Sequence, residues 1–340
     1  MLALGLLFLV LALIAAPPAR ADAASRYEKG WPDVLSTLRL DADRDYVAII
    51  LIPPAGPLDA RDGETMRRSL LPYLAEQTRL GHTVIAWQCG GRRGMVSQSG
   101  EHRLQGTRMA FSGWGLAATL STFNDGALRG ENSLRPAYAR VLAEGRGHIV
   151  AVETDSAHCN AMKAFLSRYI THPNRPASRF SLLLDPERFE GGGCASFALA
   201  LAEKAGIAAG LKRHLRRTSL VHEAALGRLD TWPDLTTPFT VGGDHGRRRI
   251  PVGRLLSGPL DTGKVLARVR FVDPELLLAA LSGARQAAGE RRGFLQDRVL
   301  PSDDPAVRAA VDAGRAWARR PARIRLVDRG RLNALVLERR

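Results

Sequence analysis

Three cysteines and eight histidines carry the chemistry this chain is best equipped to do. Cys194 stands in FEGGGCASFALALAEKAG, Phe189 to Gly206, where three glycines lead into an almost wholly apolar run with helical composition. The spacing predicts a buried helix that starts at Cys194 and stops at Gly206. A helix N-terminus presents unpaired N–H groups and a partial positive charge, which lower a thiol's pKa and offer donors to a developing oxyanion. Gly193, lacking a side chain, would let a substrate carbonyl approach the backbone closely and is assigned to substrate binding. Cys194 is therefore the candidate nucleophile for an amide or ester carbonyl. The competing reading is a small buried residue at a tight turn.

The other two cysteines read differently. Cys159 recurs with Met162, Phe165, Leu166 and Tyr169 at helical spacing behind an Asp155 or Ser156 cap, which makes it a core cysteine. Cys89 closes the strand TVIAWQC and faces the core or the turn. A Cys89–Cys159 bridge stays open as an alternative that spacing does not support, and an odd count leaves at least one thiol free.

A nucleophilic thiol needs a base. His158 and His172 belong to the Cys159 helix and its end, His214 and His222 read as solvated, and His245 in VGGDHGRRR reads as a turn without the Asp-rich ligand runs of a metal site. His148 opens the strand HIVAVE without a polar partner in a hairpin. His82 precedes TVIAWQC, the turn GGRRG and a second strand MVSQSGE. With a Gly91-Arg92 turn, Cys89 pairs with Gly94 and His82 falls opposite Glu101, close enough for the carboxylate to orient the imidazole. Slipping the turn to Gly90-Gly91 puts Ser99 opposite His82 instead. Gln98 and His102 are rivals of Glu101 for the third position. Trp114, in FSGWGLAATL, is assigned to the substrate side.

A G-H that opens a strand, a hairpin with a polar partner, and a later Gly-x-Cys-x-x-Phe that opens a buried helix together resemble the circularly permuted papain-like proteins. These include the permuted NlpC-type amidases and peptidases and the lecithin retinol acyltransferase group. LGHTVIAWQC is similar to their histidine strand and GGGCASFALALAEKAG to their cysteine helix. The resemblance spans residues 80–206 and implies His82 and Cys194 as the catalytic pair, Glu101 as the third member, and no metal or cofactor. It implies an α+β fold, a papain-like permuted core whose antiparallel sheet packs on the cysteine-bearing helix, with N- and C-terminal extensions.

The elements that would hold these residues are framed by the chain's ends. MLALGLLFLVLALIAAPPARADA has the form of a secretory signal over residues 1–23, too short to span a bilayer. Residues 24–79 form an N-terminal strand and helix region that includes the apolar strand YVAIILIPP. Residues 80–210 form the core, and 211–340 a C-terminal extension or small second domain with a helix capped at Asp273 and a terminal hairpin around Arg329-Gly330. The net charge is +15, yet only five of the 49 basic residues are lysine and aromatics make up 6%. No basic helix or aromatic-basic motif accompanies that charge, so nucleic acid is set aside. GPLDTGKV lacks the Ser or Thr that completes a P-loop and reads as a turn. No G-x-S-x-G elbow is present. The expectation is an exported, periplasmic or secreted thiol hydrolase acting on a peptide or envelope polymer near a membrane surface. The alternatives are a non-catalytic envelope module on the same fold and a thiol acyltransferase acting on lipid.

Overall fold

The computed structural model describes residues 22–54, 56–76, 81–100, 108–130, 134, 136–227, 235–236, 249–289, 303–319, 323–326 and 332–339. The run DYVAIILI has no polar face, and such a run suits a strand covered on both sides. It forms β1 (Asp45–Ile52), the central member of a seven-stranded sheet ordered β10-β11-β6-β1-β2-β3-β5. The partners are β2 (His82–Cys89), β3 (Arg92–Gly100), β5 (Gly126–Arg129), β6 (His148–Thr154), β10 (Arg323–Leu326) and β11 (Ala334–Glu338). All neighbours in this sheet are antiparallel except β6 and β11. Outside it, β4 (Thr122–Phe123) pairs with β8 (Leu235–Thr236), and β7 (Arg216–His222) with β9 (Val265–Val272).

Helices cover both faces, which makes this an α+β protein. The labelled helices are α1 (Gly63–Glu76), α2 (Pro136–Ala143), α3 (Ser156–Thr171), α4 (Cys194–Lys204), α5 (Val252–Ser257), α6 (Pro274–Ala287) and α7 (Pro305–Ala318). On one face Val47, Ile49, Leu51, Ile85 and Trp87 join α3, α4, α6 and α7 in the largest core. On the other, Ala48, Ile50, Val84 and Ala86 pack with Leu35, Leu38 and the α2 residues Tyr138 and Leu142. A third cluster gathers Met66 of α1, Trp114, Leu116, Leu260 and the β7–β9 ribbon. Every residue of α4 from Ala195 to Ala202 is buried, as its all-round apolar composition requires.

The sheet draws on strands from both ends of the described chain as well as its middle. β1 comes from the expected N-terminal region and β10–β11 from the expected C-terminal portion, so the boundaries at 79 and 210 do not delimit the sheet. The terminal hairpin pairs as its sequence indicates. Its turn lies outside the described residues. The N-cap at Asp273 is also observed, its carboxylate accepting from Glu275 N at 2.8 Å. Buried Arg217 of β7 then ties two helix starts together. Its guanidinium bonds Asp273 and, at 2.6 Å, Asp304, the N-cap of α7.

α6 and α7 meet through facing glycines. A Cβ on Gly283 would lie 2.0 Å from Val311 O, and one on Gly314 would lie 1.8 Å from Ala280 O. Only backbone fits in that space. Gly314→Ala should therefore lower stability by about 2 kcal/mol or more in denaturant titration, since overpacking a close contact costs in that range. An unchanged midpoint would mean the helices can separate freely.

Cys89 and Cys159 form a disulfide, with Cα atoms 5.9 Å apart. Both are core cysteines, and the bridge that spacing left open is formed. Cys89 ends β2 on the face covered by α3, and Cys159 is on the sheet-facing side of that helix. The bridge closes a separation of 70 residues. In the chain-entropy account, replacing both cysteines by alanine should cost about 4 kcal/mol, read as a lower thermal midpoint of the variant relative to the oxidised protein.

Candidate functional site

Cys194 is the first residue of α4, partly exposed and the free cysteine of the three. The glycines before it serve packing. A Cβ on Gly191, whose φ is +122°, would sit 2.4 Å from Arg179 O, and one on Gly192 would sit 2.6 Å from Pro186 Cγ. Gly193 is the N-cap, and its N–H donates to Ser196 Oγ at 3.0 Å while the Ser196 hydroxyl donates back to Gly193 O at 3.1 Å. That N–H is thus engaged within the helix cap. Gly193 nevertheless keeps room on its open side, where a Cβ would find its nearest atom 3.5 Å away at Ser181 O.

The β2–β3 hairpin pairs Cys89 with Arg92 and Ile85 with Val96. Its turn is Gly90-Gly91, with φ of +58° and +72°, the double positive φ that a type I′ turn needs. This corrects the Gly91-Arg92 turn to its one-residue alternative, and in that register His82 meets Ser97 of β3. Trp87 lying across Gly94 holds the register, since a Cβ at Gly94 would be 2.4 Å from the indole. Glu101 and His102 lie outside the described residues.

The same geometry separates His82 from Cys194. Side chains alternate along a strand. His82, Val84 and Ala86 point to the α2 face, whereas Thr83, Ile85 and Trp87 point to the face that carries α4. His82 stacks on Tyr138 with centroids 5.3 Å apart and shares a 2.9 Å hydrogen bond between Nε2 and Ser97 Oγ. The expected catalytic pair is not brought together. A one-residue offset puts Thr83 beside the sulfur.

Burial pushes the Cys194 thiol above its ordinary pKa, against the opposing pull of the Thr83 N–H and hydroxyl and of the Ala195 and Cys194 N–H groups. The Thr83 hydroxyl is buried and, although it faces the sulfur, has no hydrogen-bond partner of good geometry. Among the described residues, the groups that chiefly act on the thiol are Thr83 and the N–H groups of Ala195 and Cys194. His148 does share the α4 face, but Leu51 pairs with both His148 and Thr83 and so lies between them. Its Nδ1 is 3.0 Å from Asn333 Nδ2. Asp155 caps α3 by accepting from His158 N at 2.9 Å and also meets the His158 ring, and His172 stacks on Phe189. His245 lies outside the described residues.

Two further expectations change with the structure. Gln98 is on the Cys194 face and fully buried; it accepts from Tyr169 Oη at 2.8 Å and donates to Pro176 O and Arg179 O at 3.0 and 2.9 Å. It fastens the segment that underlies the glycines. Trp114 is 1% exposed inside the third core, which removes it as a substrate-facing surface. Thr83 belongs to no motif in the sequence; its one signal there is adjacency to His82, since neighbours on a strand face opposite ways.

Among the described residues no group of His, Cys, Asp or Glu is arranged to hold a metal, and no helix is long and apolar enough to cross a membrane. Comparisons with protein-family models, with curated proteins and with solved structures found no match.

The thiol's chemistry follows from its surroundings. A raised pKa leaves less thiolate at neutral pH than a free cysteine has, so alkylation of Cys194 by iodoacetamide should reach half its maximal rate above pH ~8.5. His82→Ala should leave that profile in place, and Thr83→Val should move it further up by removing a donor. An inflection below pH 7 that His82→Ala abolishes would restore the Cys-His pair.

Proposed function

We propose that the protein is an exported module of the cell envelope that holds a peptide or peptide-bearing polymer without cleaving it, on a scaffold of the permuted papain-like kind. The observation that carries this reading is the exchange of neighbours at Cys194, which meets Thr83 where a thiol hydrolase needs an imidazole. With Thr83 and backbone N–H groups as its neighbours among the described residues and its pKa raised by burial, the thiol stays protonated near neutral pH, and a protonated thiol is a poor nucleophile. An apolar leader and a disulfide are both compatible with an oxidising compartment outside the cytoplasm. The excess of arginine suits anionic envelope polymers.

A second reading is supported by one feature. The N–H groups of Thr83, Ala195 and Cys194 converge on the sulfur of a partly exposed thiol. Such a nest steadies a thiolate or an oxyanion once formed. That would serve a slow thiol hydrolase, or an acyltransferase whose substrate takes up the proton itself.

Incubation with purified peptidoglycan distinguishes the two. On the binding reading, wild type and Cys194→Ser sediment equally with the insoluble polymer, and mass spectrometry finds no released peptide. Release of peptide, or a covalent acyl adduct on Cys194, that disappears in Cys194→Ser would replace the binding module with the enzyme.

A further inference from the structure

Among the described residues four large apolar side chains stand exposed, and three of them belong to one stretch of surface. Val252 and Leu256, each 42% exposed, are one helical turn apart on α5 and so share a face of it. Phe111, 36% exposed, lies in the segment Ala110–Trp114, which packs against α5. Ile250 N donates to Gly113 O at 2.9 Å, so Phe111 and Val252 each sit two residues from the same bond. A Cβ on Gly113, whose φ is +107°, would come within 2.7 Å of Arg249 Cβ, which leaves the two segments no slack. Trp114, Ile250 and Leu255 are buried, so the inward positions of both segments already anchor them to the core, and the outward apolar ones play no part in that anchoring.

The charge around this patch has one sign. Arg108, Arg249 and Arg254 are exposed on or beside the same two segments, and residues 108–116 and 249–260 contain no acidic residue. Exposed apolar side chains among arginines suit the boundary of an anionic bilayer, where the apolar groups leave water among the acyl chains and the guanidiniums meet headgroup phosphates. A hydrated anionic polymer would satisfy the arginines and leave the apolar side chains in water. A second copy of this face would set arginine against arginine.

We propose that this patch docks the protein on the surface of an anionic lipid bilayer, with Phe111, Val252 and Leu256 entering the boundary between headgroups and acyl chains and Arg108, Arg249 and Arg254 on lipid phosphates. The contact is peripheral, since α5 is six residues long and can only lie along the interface. Three apolar side chains give a reversible attachment, so its strength depends on lipid charge and on salt. The inference goes beyond the peptide-binding reading and needs neither that reading nor any chemistry at Cys194.

The test places an indole in the patch. The full chain carrying Leu256→Trp is titrated with vesicles of equal parts phosphatidylglycerol and phosphatidylcholine with brominated acyl chains, and the added emission is read against wild type. A blue shift and quenching are expected, with the same result for Val252→Trp, whereas Glu144→Trp, at an exposed position just after α2, should show neither. The signal is local, so it reports on this face whatever else in the chain touches lipid. Adding Arg108→Gln, Arg249→Gln and Arg254→Gln together to Leu256→Trp should raise the lipid needed for half-quenching about a hundredfold, at roughly fivefold per arginine. All these positions are exposed, so thermal midpoints should match wild type. Absence of quenching at both patch positions, equal quenching of Glu144→Trp, or the same titration curve on vesicles of brominated phosphatidylcholine alone would each overturn the proposal. So would a concentration-dependent dimer that shifts the Leu256→Trp emission without lipid, since the face would then belong to a second copy.

Discussion

The alternation of side chains along β2 is the constraint from which most of this molecule follows. Eight consecutive residues, His82 to Cys89, are all buried, and each must choose one of two covered faces. The odd-numbered set commits Thr83 to Cys194, Trp87 to Gly94 and Cys89 to Cys159, so one face of one strand fixes the thiol's environment, the hairpin register and the disulfide. The even-numbered set commits His82 to Tyr138 and Ser97 on the far side. Moving any one of these would turn the rest over, because a slip of one residue exchanges the faces completely.

That constraint also explains how much could be read in advance. The sequence pattern locates β1, the buried α4, the Asp273 cap and the core face of α3, where Cys159, Met162, Phe165, Leu166 and Tyr169 are all buried. These are decided locally, by apolar period and capping chemistry. β2 is different because HTVIAWQC is covered on both sides and carries no polar alternation that would tell one face from the other. GGRRG offers two turns that differ by a single residue, and the contact that selects between them, Trp87 over Gly94, is a matter of shape that periodicity does not express. The disulfide depends on where α3 crosses the sheet, a tertiary relation with no mark in the spacing of two cysteines.

The C-terminal portion is built by the same economy of close contacts. Arg217 gathers Asp273 and Asp304 so that two helix starts share one buried cation, and Gly283 and Gly314 let those helices touch backbone to backbone. An ion pair removed from water gives little net stability, but breaking it by deleting one partner leaves an uncompensated charge. β11 then inserts beside β6 in parallel, which requires contacts between segments nearly two hundred residues apart. Such pairings are slow to form, because loop closure precedes the contacts that reward it.

The positions of the three sulfurs along β2 bear on how this chain reaches its oxidised state. Cys89 is at one end of the strand and the free thiol sits by Thr83 near the other, six residues and about 20 Å of strand away. Thiol–disulfide exchange needs the attacking sulfur in line with the bridge. The native fold therefore insulates its disulfide from its own spare cysteine. The unfolded chain has no such insulation, and in it Cys194 competes for either partner, so wrong bridges belong to the period before the strand is covered and their correction falls to whatever thiol exchange its surroundings provide.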